Sequence, residues 1–259
     1  MLLALDIGNT NLVGGLFDGN NLRSTFRLAT ERSKTVDEHA ILLADMLRLK
    51  GIDANRIQSA ILASVVPQAT SRVAQAVELV VAQKPLIVGG PGLKTGLRIN
   101  HDNPREVGAD RIVNAIAAHE KVKGEVIVVD FGTGTTFDCI NSAGEYVGGV
   151  IVPGVQVSLD GLLLRAAKLA RVEIAEPEHI IGRSTEAALQ SGVVYGYASL
   201  VDGLVRKIRR ELGGNSAILA TGGLAKQICK HCEEPMEICP NLTLEGLRLI
   251  YERNRGSKR

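Results

Sequence analysis

Leu5-Asp6-Ile7-Gly8-Asn9-Thr10 and Val129-Asp130-Phe131-Gly132-Thr133-Gly134-Thr135 decide how this chain is read. Each is an apolar strand that ends in aspartate and is followed by glycine and small hydroxyl or amide residues. Asp130 follows Asp6 by 124 residues, close to half the 259-residue length. A turn at Asp18-Gly19 follows the first copy, and Gly144 stands in the corresponding turn of the second. Two copies of one strand–hairpin–helix unit predict a duplicated fold with a cleft between its halves.

The chemistry of such a loop follows from its residue types. Glycine lets the backbone approach a ligand closely, and successive N–H groups with Thr hydroxyls form a concavity for an anion. An adjacent Asp would repel phosphate unless a cation lay between them, and Mg²⁺ is commonly held by one or two carboxylates plus phosphates and water. A plain turn, with Asp bonding its own backbone, explains either loop alone. Matched Asp, Gly and Thr in both copies favour nucleotide-phosphate binding.

Working outward, strands alternate with helices. Val13 to Phe17 and Leu22 to Leu28 form a hairpin, and helical spacing covers Thr35 to Leu49. Ala60 to Val66 is a strand ended by Pro67, a helix spans Ala69 to Ala82, and Leu86 to Val88 is a short strand. A loop from Gly89 to Pro104 leads to a helix from Glu106 to Val122. The second half has a strand at Val126 to Val129 and a strand-turn-strand from Asp130 to Gly149. Helices are expected over Val157 to Leu169, Ser184 to Leu212 and Leu242 to Asn254, with a strand at Ala217 to Ala220. Gly222-Gly223 then opens another helix, either for tight strand-to-helix packing or as a floor for a base and ribose. The alternation predicts α/β structure with parallel strands at its centre, divided into domains at 1–115 and 116–259.

Composition narrows the function classes. Hydrophobic residues are 45% and charged residues 22%, which excludes a disordered chain, a collagen-like repeat and a coiled coil. Aromatics are 3% with no Trp, so Leu, Ile, Val and Ala must build the core. A net charge of +2 gives no electrostatic footprint for nucleic acid or an anionic membrane. No targeting segment or membrane span is visible, and the chain reads as cytoplasmic. Cys229, Cys232 and Cys239 cluster around His231, but the second ligand pair of a zinc site is absent, which favours reduced thiols. No GxGxxG, Walker A loop or Ser/His/Asp signature is present, so a dinucleotide-dependent dehydrogenase is the weakest reading.

The loops at Asp6 and Asp130 and the Ala220-Thr221-Gly222-Gly223 element, in this order, resemble the actin-like ATPase superfamily that includes sugar kinases and Hsp70. With Pro104-Arg105-Glu106-Val107-Gly108-Ala109-Asp110-Arg111 and Gly182-Arg183-Ser184-Thr185, the resemblance sharpens to the type III pantothenate kinases. It implies a duplicated actin-like, ribonuclease H-like fold: two α/β domains with mixed sheets flanking a nucleotide cleft. It further implies transfer of the ATP γ-phosphate to pantothenate, giving 4′-phosphopantothenate in the first step of coenzyme A biosynthesis.

The resemblance also implies site roles. Asp6, Ile7, Gly8, Asn9, Thr10, Asn11, Leu12 and Val13 would form the first ATP-phosphate loop, with Asp6 holding Mg²⁺. Asp130 would bind the monovalent cation, K⁺ or NH₄⁺, and Thr133 would touch ATP. Gly108, Ala109, Asp110 and Arg111 would bind pantothenate, with Asp110 as general base and Arg111 as anchor. Thr185 would reach pantothenate from the partner subunit of a homodimer. His101 stands where a Tyr commonly lines the pantothenate pocket, and either keeps a hydrogen bond to substrate or is a solvated loop residue. Gly192, Gly196 and Gly203 in one helix suggest close packing against another backbone, within the subunit or across a dimer.

Overall fold

Uninterrupted apolar side chains suit a strand covered on both faces. In a computed structural model describing residues 1–166 and 169–255, β1 (Leu2–Ile7) is the central strand of a five-stranded sheet. It pairs antiparallel with β2 (Asn11–Asp18), which pairs antiparallel with β3 (Asn21–Ala29). Helix α1 (Val36–Leu49) follows, started by a Thr35–Glu38 capping box. The strand β4 (Ser59–Ser64) then lies parallel to β1 on its other side. After α2 (Pro67–Val81), which has Pro67 in its first turn, β5 (Leu86–Ile87) completes the order β3-β2-β1-β4-β5. A 3₁₀ turn at Pro104–Glu106 precedes α3 (Ala109–Val122). The helix expected from Glu106 therefore begins three residues later, after an extended Val107.

The second half repeats the device. The strands β6 (Val126–Phe131), β7 (Gly134–Ile140) and β8 (Tyr146–Pro153) form an antiparallel meander. Next come α4 (Val155–Arg165), α5 (Thr185–Leu212) and β9 (Ala217–Gly222), the last parallel to β6. A short helix, α6 (Ala225–Cys229), leads to the two-residue strand β10 (Glu237–Ile238). The sheet order is β10-β9-β6-β7-β8, the first sheet's order over again. Helix α4 starts earlier than Val157 because Gly154 supplies an extended N-cap, and the Ala167 and Lys168 part of that expected helix lies outside the described residues.

The chain divides into two compact units, Met1–Leu97 with Asp102–Ala117 and the residues from Leu242 onward, and Arg98–His101 with Ala118–Asn241. The expected C-terminal domain, 116–259, thus gives up its last helix, α7 (Leu242–Arg255), to the first unit. The reason is burial: Leu244, Leu247 and Ile250 share a core cluster with Leu2, Ala4, Ile61 and Ala63. Strand alternation sends Leu3, Leu5 and Ile7 to the opposite face, against Leu43, Leu47, Val73 and Val77 of α1 and α2. Asp6 therefore shares its face with Leu2 and Ala4, the side covered by α3 and α7. In the second unit Ile127, Val129 and Phe131 face Val201, Val205 and Ile228, which leaves Asp130 on the other face.

Candidate active site

In the first unit the chain turns through Gly8-Asn9-Thr10, closed by Gly8 N–H donating to the Asn11 carbonyl at 3.0 Å and Thr30 N–H to the Thr10 carbonyl at 2.9 Å. A Cβ on Gly8 would stand 3.2 Å from that Asn11 oxygen, so glycine permits the tight closure. Ile7 and Leu12 are buried and hold the turn to the core, while Asn9 and Thr10 are exposed. Arg32 donates to Asn9 Oδ1 at 3.2 Å, and Arg72 in turn donates to the carbonyls of Arg32 (2.6 Å) and Lys34 (3.3 Å). Basic side chains beside the turn raise its local potential for an anion. Sequence reasoning missed Arg32, which stands 23 residues from Asn9 with no motif to link them.

The Gly108-Ala109-Asp110-Arg111 run lies in the same unit. Ile112 N–H donates to the Gly108 carbonyl at 3.1 Å, opening α3, and Arg111 N–H donates to Asp110 Oδ1 at 2.8 Å. A Cβ on Gly108 would lie 2.5 Å from Asp110 Oδ1 and 3.6 Å from Val65 Cγ1. Only glycine leaves that carboxylate its place. Val65 N–H donates to the Ile7 carbonyl at 3.1 Å, so Gly108 is one residue removed from the carboxyl end of β1. Burial pushes the Asp110 carboxyl above the usual carboxylate range, against the lowering effect of the Arg111 N–H and guanidinium. The fold thus gathers the Asp6 turn and Asp110 at the carboxyl ends of the parallel pair β1 and β4, where open α/β sheets bind ligands.

The second unit holds the remaining candidates. Asp130 lies opposite Thr136 on β7 and Thr221 on β9. Gly132 N–H donates to the Gly134 carbonyl at 3.1 Å, and Gly154 N–H to the Thr133 carbonyl at 3.0 Å. A Cβ on Gly154 would meet Thr133 O at 2.2 Å, so this backbone buttresses the turn directly. The Tyr197 hydroxyl, from α5, donates to the Pro153 carbonyl at 2.9 Å and fixes that buttress. Gly222, at φ +94°, would carry a Cβ 2.6 Å from Asp130 Oδ1. Gly222 therefore packs on the adjacent strand β6, at Asp130 and the Phe131 backbone, and not on a helix. Thr133 is exposed.

Ser184 caps α5, its hydroxyl accepting from Ala187 N–H at 3.1 Å, which leaves Thr185 exposed at the first helical position. Gly182 packs on that first turn, where a Cβ would stand 2.3 Å from Ala188 N. His101 is half-buried and follows a segment in which Asn100 N–H donates to the Tyr146 carbonyl at 2.8 Å. For Gly192, Gly196 and Gly203 a Cβ would meet no atom of the described residues within 4 Å, so packing within the subunit does not explain them.

Among the described residues no group of three or more His, Cys, Asp or Glu is placed to hold a metal ion, the cysteine cluster included. The donors fit hard cations that take most of their ligands elsewhere. Asp6 offers carboxylate oxygens beside the Gly8–Thr10 turn, a donor type that suits Mg²⁺. Asp130 offers them in a cradle that a Cβ on Gly222 would fill.

A duplicated sheet with an Asp-Gly turn at the same place in each copy defines the actin-like fold of the sugar kinases. Solved structures share that fold: a putative 2-dehydro-3-deoxygalactonokinase from Sinorhizobium meliloti aligns with a TM-score of 0.60 at 13% identity, covering 98% of this chain and 99% of that one. A Campylobacter jejuni protein described as a conserved putative Baf family transcriptional activator aligns at 0.61 with 18% identity, covering 98% of each. The family model for type III pantothenate kinase matches residues 2–207. A type III pantothenate kinase of Moorella thermoacetica is 47% identical over 98% of this chain and 100% of its own length, and one of Syntrophus aciditrophicus is 49% identical over the same shares. The chain belongs to the type III pantothenate kinase family.

Proposed function

We propose that the chain phosphorylates pantothenate at the expense of ATP, giving 4′-phosphopantothenate and ADP, through the residues gathered around β1. The observation that carries the reading is Asp110: a half-buried carboxylate of raised basicity, at the start of α3 and beside the carboxyl end of β1. A primary hydroxyl is too weak an acid for a carboxylate to deprotonate in the ground state. Asp110 orients it and accepts its proton as the bond to phosphorus forms, and a raised pKa favours that transfer. Arg111, through its planar fork, pairs the substrate carboxylate. The N–H groups and side chains of Asp6 to Val13 hold the phosphates.

Asp6 would hold Mg²⁺ and Asp130 the monovalent cation, K⁺ or NH₄⁺; these supply neutralisation of phosphate charge. Thr133 contacts ATP and His101 donates to or accepts from pantothenate. Thr185 serves the pantothenate site of a partner copy. The homodimer is supported by two features of the second unit. Gly192, Gly196 and Gly203 recur at helical spacing, and a Cβ on any of them would meet no atom of the described residues within 4 Å. Ile151, Leu164, Ile180 and Ile181 are 65–83% exposed, an apolar excess expected of an interface. Among the described residues no helix is long and apolar enough to cross a membrane, and we place the enzyme in the cytoplasm with its substrates.

The test is ADP release from MgATP with and without pantothenate, in K⁺ and then Na⁺ buffer. Release that needs both pantothenate and K⁺ is expected. Release indifferent to pantothenate would point to a different acceptor, and ATP binding without release to a regulatory protein that kept the fold. Sedimentation at micromolar concentration tests the dimer.

A further inference from the structure

No disulfide joins the four cysteines, and their thiols do not stand alike. Cys139 is buried in β7 at 6% exposure. Cys239 is half-buried just past β10, its N–H donating to the Ala220 carbonyl at 2.7 Å, and burial with the Glu237 carboxylate pushes its thiol up. Cys229 ends α6, and the turn continues past it: His231 N–H donates to the Ile228 carbonyl at 3.0 Å and Cys232 N–H to the Cys229 carbonyl at 3.1 Å. Residues three apart in such a turn have Cα atoms roughly 5 Å apart, inside the roughly 4.4–6.8 Å that a disulfide spans.

The neighbouring Cys232 thiol holds Cys229 below the usual thiol range, and the Cys229 thiol with burial pushes Cys232 up, while the Asp202 carboxylate raises both. The Cys232 sulfur lies 3.7 Å from the Ile228 carbonyl and 3.9 Å from that of Ala198. Both residues are half-buried and packed against the core that holds Val201 and Val205. Two cysteines at Cys-x-x-Cys spacing in one turn share the arrangement of redox-active dithiols.

We propose that Cys229 and Cys232 form a reversible dithiol–disulfide site whose oxidant is a low-molecular-weight disulfide. The Cys229 thiolate attacks one sulfur of RSSR, breaking its S–S bond, joining RS to Cys229 and releasing RS⁻. The Cys232 sulfur then attacks the Cys229 sulfur, and the second RS⁻ leaves. The two protons of the protein thiols go to the two departing thiolates. The balance is two protein thiols oxidised to one disulfide and one RSSR reduced to two RSH. Neither cysteine belongs to the kinase machinery proposed above, so the site stands or falls apart from it.

The test treats the folded protein with oxidised glutathione and counts thiols. The expected result is rapid loss of two thiols with no glutathione retained, full recovery with dithiothreitol, and a Cys229–Cys232 crosslink in a peptic digest at low pH. Cys239→Ser closes the same disulfide, whereas Cys232→Ser stops at a stable mixed disulfide on Cys229, formed at least about tenfold faster than at Cys139 or Cys239. The wild-type digest needs no variant to fold. No thiol loss in the native protein, a crosslink to Cys239, or glutathione retained on the wild-type chain would each overturn the proposal.

Discussion

The β1–β2 turn and the β6–β7 turn occupy the same place in sheets of the same strand order, yet their aspartates keep different company. Asp6 stands opposite Val13 and Ala63, two apolar neighbours. Asp130 stands opposite Thr136 and Thr221, with Gly222 pressed on its Oδ1. The Gly132–Gly134 turn rests on the Gly154 backbone, while the Gly8–Thr10 turn is closed by its own hydrogen bonds and flanked by Arg32. Duplication fixed where each carboxylate emerges. Its neighbours set how firmly it is held, and in the first unit a second carboxylate, Asp110, stands at the head of α3 beside the carboxyl end of β1.

The largest test of this division of labour is Asp110→Asn, which should lower kcat about 10²–10⁴-fold while nucleotide still binds. Near-normal turnover would return the chemistry to another group. In the native enzyme the acidic limb of kcat/KM should lie above the ordinary carboxylate range, because burial raises Asp110 and protonation disables a base.

Paired glycine replacements probe the buttressing. Gly222→Ala combines a positive φ with a contact at 2.6 Å, and should cost about 1–3 kcal/mol in a denaturant melt for the strained backbone alone. Gly8→Ala meets only a 3.2 Å contact and should cost less than about 1 kcal/mol. Equal losses would erase the distinction between the two turns. Asp130→Asn should raise the K⁺ concentration needed for half-activation by about tenfold, equivalent to about 1.4 kcal/mol. An unchanged K⁺ curve would remove Asp130 from that role.

The smallest effect concerns the first unit's outer layer. His39 is 8% exposed, beside a small cavity lined by Leu5, Leu12, Phe26 and Leu43, with Nε2 unpartnered. Burial, with Lys34 and Arg72, holds its pKa below the free value of 6.5. The unfolded chain therefore takes up the proton first as pH falls below about 6.5, and stability declines from there until the folded-state pKa is reached. His39→Leu should flatten that part of the stability–pH curve, and an unaltered slope would assign it elsewhere.

Much of this was legible in the sequence because the fold rests on local patterns. The repeat, the apolar strands and the capped helices announce themselves within windows of a dozen residues, and Asp6, Asp110 and Asp130 stand at strand or helix ends, where motifs are read. What was not legible depends on contacts between distant residues. Nothing in Pro153-Gly154 says that the glycine touches Thr133, and nothing near Arg32 names Asn9. Gly192, Gly196 and Gly203 read as close packing, but packing against what is a property of three dimensions. The return of α7 to the first sheet is the largest such case.

That return has a consequence for synthesis. Ribosomes deliver the chain from the N-terminus at about 5–20 residues per second. The face of the first sheet carrying Leu2, Ala4, Ile61 and Ala63 has only α3 over it while the rest of the second unit is made, until Leu244, Leu247 and Ile250 arrive to complete its cover. Those three side chains contribute about 1.5–3 kcal/mol each by burial, a large share of the about 5–15 kcal/mol by which domains are stable. The second unit can complete its sheet while the first still lacks part of one wall, so the half begun first is finished last.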